Sequence, residues 1–366
     1  MTFTFGRTFK IHVFGESHGK CIGVTVEGCQ PGITIDKAQI QSELDRRCPG
    51  TGELVSSRAE TDIVSIDSGI LDDKATGAPI TMIIPNVDVD SSSYEAMKHT
   101  PRPGHADYTA RIKFEGYNDY RGGGVFSGRM TAAFVMAGAI AKTVLNNMGV
   151  EVLAHVVQVG SSSLLRELSD QEIRSNVYTN EVRCADEESA KQMQEEITNA
   201  RQEGDSVGGI VECRVLGISP GVGDPIFDSV ESVIGHAMFS IPGAKGIEFG
   251  SGFRGASMRG SENNDPLVVV DGRPTWAKND AGGVLGGITN GASVVFRVGF
   301  KPTPTISKVQ KTVDLDRLEE TTLQATGRHD PCIVPRAVPV VEGMAAVAIV
   351  DLVISAKSRS SSESRV

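Results

Sequence analysis

The chain has 366 residues, of which 39% are apolar, 22% charged and 5% aromatic, and its formal net charge is −10. A net negative surface gives no overall attraction to nucleic acid or acidic membranes, so neither is expected as a partner, and any basic cluster must act locally on a small anion. Six cysteines without a CxxC pair offer neither a zinc signature nor a disulfide framework.

In chain order, residues 9–14 and 22–27 read as strands separated by GESHGK, with no export signal before them. The expected setting is the reducing cytoplasm. Residues 36–47 form a short helix stopped by Pro49 and Gly50, and 63–71 and 80–85 are further strands. Residues 127–148 make the first long helix, N-capped by Ser127 and closed by Gly149, with small or apolar residues all round. Such a helix is buried on every side. There follow a strand (150–159), a polar surface helix (186–202), a strand (210–216), a helix (228–239), strands at 267–270 and 292–300, and a last small-residue helix from about 339 to 356. Lys142 interrupts one long helix and Glu342 and Asp351 the other, so both are read as too short to span a bilayer.

Strands in adjacent pairs favour antiparallel sheets over strict β-α-β alternation. The expected fold is α/β in content, a layered α+β sandwich of mainly antiparallel sheets around buried helices. It forms a single domain over 1–355, with a disordered serine-rich tail at 356–366.

The richest segment is PRPGHADYTARIKFEGYNDYRGGGVFSGR, residues 101–129. Glycine loses the most backbone entropy on folding, so Gly122, Gly123 and Gly124 in succession imply a sharp turn or a close approach. The helix start behind Ser127 is a ready anion site, flanked by Arg121 and Arg129. GESHG has the spacing of a hydrolase nucleophile elbow, but a strand follows where an elbow needs a helix. An esterase is therefore rejected, and the turn instead presents His18.

His105 and His329 also stand among glycine, arginine and aspartate, whereas His12, His99, His155 and His236 read as structural. No pair has the spacing of a metal site, so no metal is expected. Arg46, Arg47, Arg102 and Arg328 keep glycine or proline company, as suits guanidinium forks clamping phosphate or carboxylate. The loops at 282–287 and Lys301-Pro302-Thr303-Pro304-Thr305 suit a flat cofactor, without a Rossmann fingerprint. RPGHAD before the first long helix and GRHDPC before the last hint at an internal repeat.

Together GESHG, DRRCPG, RPGHAD, RGGG with SGR, GDSVGG, AGGVLGG, KPT and GRHDPC occur in the order of the chorismate synthase family, and the chain resembles that family from residue 15 to 332. The resemblance implies a 1,4-elimination of phosphate from 5-enolpyruvylshikimate 3-phosphate, dependent on reduced FMN without net redox change. It also implies a homotetramer. Arg47, Arg102, Ser127, Arg129 and Arg328 would bind substrate. Val125, Phe126, Ser127, Gly286, Lys301, Pro302, Thr303, Pro304, Thr305 and Arg328 would bind flavin. His18 would protonate the departing phosphate, His105 would protonate or hydrogen-bond the reduced flavin, and Asp330 would assist proton removal through the flavin.

The chain departs from the family at Glu53, where an arginine is frequent and Arg58 stands five residues on. It departs again at Val125-Phe126 in place of Arg-Ser, and at Asn279-Asp280. Moderate length without a large insertion favours an external flavin reductase over self-reduction with NAD(P)H. Two other classes remain open at this point, a flavin oxidoreductase with net hydride transfer and a small-anion sensor.

Overall fold

Alternation decides the first strands. β2 (Lys10–Gly15) buries Ile11 and Val13 and exposes Lys10 and His12, and β3 (Cys21–Glu27) buries Ile22, Val24 and Val26. They pair antiparallel with Val13 opposite Val24. The computed structural model describes residues 2–48, 62–87, 94–325 and 330–363. With β1 (Thr4–Phe5), β4 (Ser65–Ile66) and β7 (Ile80–Pro85), these strands build a five-stranded sheet in the order β1-β2-β3-β7-β4. The hairpin β5 (Ile70–Leu71) and β6 (Lys74–Ala75) stands apart from it.

The second sheet comprises β8 (Glu151–Val159), β9 (Ser162–Ser163), β10 (Gly209–Leu216), β11 (Ala244–Phe249) and β16 (Val294–Phe300), in the order β11-β16-β10-β8-β9. Three small hairpins complete the strands: β12 (Leu267–Val270) with β13 (Arg273–Trp276), β14 (Val284–Leu285) with β15 (Ile288–Thr289), and β17 (Gln310–Asp314) with β18 (Glu319–Leu323). Every strand pairing among the described residues is antiparallel, as the paired strands predicted.

The helices are α1 (Lys37–Arg47), α2 (Asp107–Lys113), α3 (Thr131–Asn146), α4 (Asp170–Asn176), α5 (Glu187–Gln202), α6 (Val230–Phe239), α7 (Gly260–Asn263) and α8 (Val334–Glu363). α3 packs on β3, and α8 packs on β8, β10 and α3, with α1 and α6 alongside. The result is the expected layering of helices between antiparallel sheets. One apolar cluster runs from Phe9 to Val353 through both sheets and the helices between them.

The charges that interrupt the long helices are buried and partnered. Lys142 Nζ donates to Glu43 at 2.8 Å and to Glu342 at 2.6 Å, and Glu342 also accepts from the Ala154 backbone at 3.0 Å and the Tyr178 hydroxyl at 3.0 Å. Asp351 accepts from the backbone N–H groups of Arg7, Thr8 and Phe9, which anchors the chain before β2.

Three sequence expectations need correction. First, Gly128–Asn146 and Val334–Lys357 are long and apolar enough to cross a membrane, contrary to the reading from their interrupting charges. They are 78% and 94% buried inside the protein, so they present their apolar faces to the sheets rather than to lipid. Second, α8 starts at Val334, not near Pro339, and it runs to Glu363 through most of the supposed disordered tail. Pro335 is tolerated in the first turn, where its missing N–H would have had no helical partner. At the other end, extending an existing helix costs far less than nucleating one. Third, 63–71 is not one strand: Ser65–Ile66 joins the first sheet, while Ile70–Leu71 belongs to the separate hairpin, the chain turning at Gly69 with φ 83°.

Candidate active site

A cavity of about 700 Å³ opens where α1 and α6 end and where α3 and α8 begin. Among the described residues six cations line it (Arg47, Arg102, Arg129, Lys245, Lys301 and Arg336) against two carboxylates, Asp62 and Asp330. In a chain of net charge −10, such a concentration of positive charge marks an anion site.

Arg47 is the last residue of α1, and Arg129 sits in a 3-10 turn, Gly128–Met130, that leads into α3. The Ser127 hydroxyl accepts from the Arg129 backbone N–H at 3.3 Å, so the predicted cap is present, with α3 itself starting four residues later. Both guanidiniums bond the carboxylate of Asp62. Arg47 Nη2 lies 2.5 Å from Oδ2, and Arg129 Nη1 bonds Oδ1. Burial raises the Asp62 carboxyl, but the charges of Arg47 and Arg129 outweigh it and hold the group below its ordinary value. Arg129 also donates to Asn86, whose amide bonds the carbonyls of Glu16 and Gly19 and so ties the GESHG turn to the cavity.

Arg102, His105 and Asp107 form a second unit at the entry to α2. The Asp107 carboxylate receives Arg102 Nε at 2.8 Å and lies 2.5 Å from His105 Nδ1. Burial raises Asp107, but the hydrogen bonds from Arg102 and His105 prevail and keep it well below the usual carboxylate range. The ionised Asp107 therefore orients the His105 ring. Arg102 Nη1 donates to Thr305 at 3.3 Å, which joins this unit to the 301–305 loop.

The three glycines have the geometry their sequence implied, with φ of 59°, 83° and 53° at Gly122, Gly123 and Gly124. A Cβ on Gly122 would lie 2.2 Å from the His18 ring, and one on Gly123 would lie 3.3 Å from the His105 ring. Both imidazoles thus pack against a bare backbone. His18 is buried one layer behind the wall, against Gly122 and edge-on to Tyr94, which both line the cavity. The turn bearing it joins two strands, which excludes a nucleophile elbow.

Val125, Phe126 and Lys301 to Thr305 line the cavity as expected, and Asp330 pairs with Arg336 at 2.5 Å. Gly286 does not; it is exposed in the turn between β14 and β15. Gly282 and Gly283 lie against Gly250 and Ser293 rather than against the cavity. Arg121 makes a two-point bond to Asp119 on the surface, so it does not flank the anion site. Glu53, Arg58, Arg328 and His329 lie outside the described residues. Among the described residues no group of three or more histidines, cysteines or carboxylates could hold a metal.

The chorismate synthase family model matches residues 9–354. The chain is 53% identical to a chorismate synthase of Korarchaeum cryptofilum over 95% of its length and 96% of that protein's. It is 49% identical to one of Methanosarcina mazei over 95% and 94%. A crystal structure of a chorismate synthase superposes with a TM-score of 0.76 at 28% identity, covering 96% of this chain and 93% of that one. The chain belongs to the chorismate synthase family.

Chorismate synthases are lyases of the last step of the shikimate pathway, which makes this chain an enzyme of aromatic biosynthesis. Among the residues that line this cavity, sequence reasoning missed Asp62, Arg336 and the wall formed by residues 239–245. Asp62 carried no local signal, because Arg47 and Arg129 lie 15 and 67 residues away; Arg336 stands six residues after its partner Asp330, so that spacing was a local signal. The third also carried one: SIPG places proline and glycine between α6 and β11, with Lys245 at the start of the strand.

Proposed function

We propose that the cavity binds 5-enolpyruvylshikimate 3-phosphate beside reduced FMN and eliminates phosphate 1,4 to give chorismate, without net redox change. The observation that carries this reading is the six-to-two excess of cations over carboxylates around one cavity of an acidic protein. The substrate brings a phosphate and two carboxylates, charge that such a wall offsets.

The residues present fit a flavin phosphate. Thr303 Oγ1 is buried on the wall with no hydrogen-bond partner among the described residues, and Lys301 lies beside it. Thr303, Lys301 and Thr305 would hold the phosphate, with Pro302, Pro304, Val125 and Phe126 against the ring. Reduced FMN supplies the electron-rich partner needed to break a C–H bond that is not acidic, which side chains do not offer.

The chain's own groups do the rest. Arg47, Arg102 and Arg129 orient the substrate and stabilise charge on the leaving phosphate. His18 lies behind Gly122, so it would give its proton to that phosphate through one bridging water, a task suited to imidazole near neutral pH. His105, held by Asp107, hydrogen-bonds the reduced cofactor, and Asp330 assists in accepting the proton. Arg328 belongs to the same set by resemblance. We further propose a cytoplasmic homotetramer supplied with reduced flavin by a separate reductase. Leu267, Val268, Val269 and Val270 are exposed in succession along β12, and this apolar strand supports the view that part of the surface is covered by other subunits.

The deciding experiment is anaerobic. Reduced FMN and the enolpyruvyl phosphate are added, and phosphate and chorismate are measured. Many turnovers per flavin support the lyase. Stoichiometric consumption of a nicotinamide would make it an oxidoreductase, and binding without turnover an anion sensor.

A further inference from the structure

Asp62 is the most enclosed carboxylate of the cavity, with a side-chain exposure of 0%, and no local sequence signal points to it. Its segment is held by α1, because Gln41 donates to the Asp62 carbonyl at 2.9 Å and accepts from the Val64 N–H at 3.1 Å. One carboxylate oxygen serves Arg47, from the end of α1, and the other serves Arg129, from the turn before α3. Neutralisation alone needs one arginine. Sharing the group between two elements does something else: it sets the separation of two guanidiniums at the width of a single carboxylate.

Arg47 Nε remains buried without a hydrogen-bond partner among the described residues, although Arg47 lines the cavity. We infer that Asp62 is a positioning residue that templates Arg47 and Arg129 to grip one oxyanion of the substrate, a phosphate or a carboxylate, between them. The inference rests on the reading of those arginines as substrate ligands. Asp62 itself touches no reacting atom.

The test compares Asp62→Glu and Asp62→Asn in the full-length holoenzyme, with Arg129→Ala as a control on the underlying reading. Asp62→Glu keeps the charge but moves the carboxylate by more than an ångström. It should lower kcat/KM about 100-fold, the usual cost of such a misplacement, while FMN affinity stays within about twofold of the parent. Asp62→Asn removes a negative charge, so an effect of charge alone would tighten substrate binding, whereas loss of the template weakens it.

Weaker substrate binding in both variants, with unchanged flavin affinity, supports the inference. Competition by inorganic phosphate that weakens in parallel assigns the oxyanion as the phosphate; unchanged competition assigns a carboxylate. Parent-like kcat/KM in Asp62→Glu, tighter binding in Asp62→Asn, or failure of both to fold would overturn it. If Arg129→Ala also leaves KM unchanged, the substrate-arginine reading falls as well; if Arg129→Ala raises KM, only the role of Asp62 falls.

Discussion

Gly138 of α3 and Gly343 of α8 meet at the crossing of the two central helices, where a Cβ on Gly138 would lie 2.2 Å from the Gly343 Cα. The contact is backbone to backbone, so no side-chain rotation can relieve an added methyl. Alanine is the better helix former by about 1 kcal/mol, yet here it forces the central layer apart. Gly138→Ala should destabilise the protein by about 1–3 kcal/mol, the usual cost of overpacking a core. Gly343→Ala, whose Cβ would meet Phe134 O at 3.2 Å and Gly138 Cα at 3.4 Å, should cost less. Urea unfolding midpoints of the two variants check the order.

Thr303 gives a prediction in which stability and binding move independently. Its hydroxyl is buried without a partner among the described residues, so Thr303→Val removes no hydrogen bond of the folded chain. The melting temperature should hold or rise slightly, while FMN affinity drops by roughly tenfold or more, the worth of a hydrogen bond to a charged group. Flavin titration by fluorescence measures it. Unchanged affinity would remove Thr303 from the phosphate site.

For the histidines, His105→Ala and His18→Ala should each lower turnover by roughly 10²–10⁴-fold, the range of general acid–base groups. The fold should survive, as circular dichroism would report. Near-normal rates in both would refute their roles. Asp107→Asn should follow His105→Ala in direction, because the Asp107 carboxylate holds that ring at 2.5 Å.

Acid stability should depend on Glu212, far from the cavity. On β10 it stands opposite His155 of β8 and Arg297 of β16. Burial raises its carboxyl, but His155, Arg214 and Arg297 together lower it from 4.5 to about 2. A folded-state value below the unfolded one means that the contribution is complete above about pH 4.5 and disappears as pH falls toward 2. Glu212→Gln should therefore be less stable than the parent by roughly 2–3 kcal/mol near neutrality. The gap should narrow on acidification below pH 4.5, which denaturant midpoints between pH 6 and pH 3 would follow.

What the sequence determined by itself is local. Alternation in Ile11, Val13, Ile22 and Val24 specifies inward faces of strands, and Ser127 announces a cap. The succession Gly122, Gly123, Gly124 announces backbone that only glycine adopts cheaply. These depend on neighbours a few residues away, and the motif order from GESHG to GRHDPC was enough to indicate the family. Tertiary structure alone decided which distant groups meet. Asp62 is 67 residues from Arg129, and Lys142 is 200 from Glu342. Whether a charge in an apolar helix is an interruption or the centre of a buried network depends on such partners. For the same reason Arg121 and Gly286 fell outside the cavity while Asp62 entered it: electrostatic and packing energies act through space, and chain spacing does not report that distance.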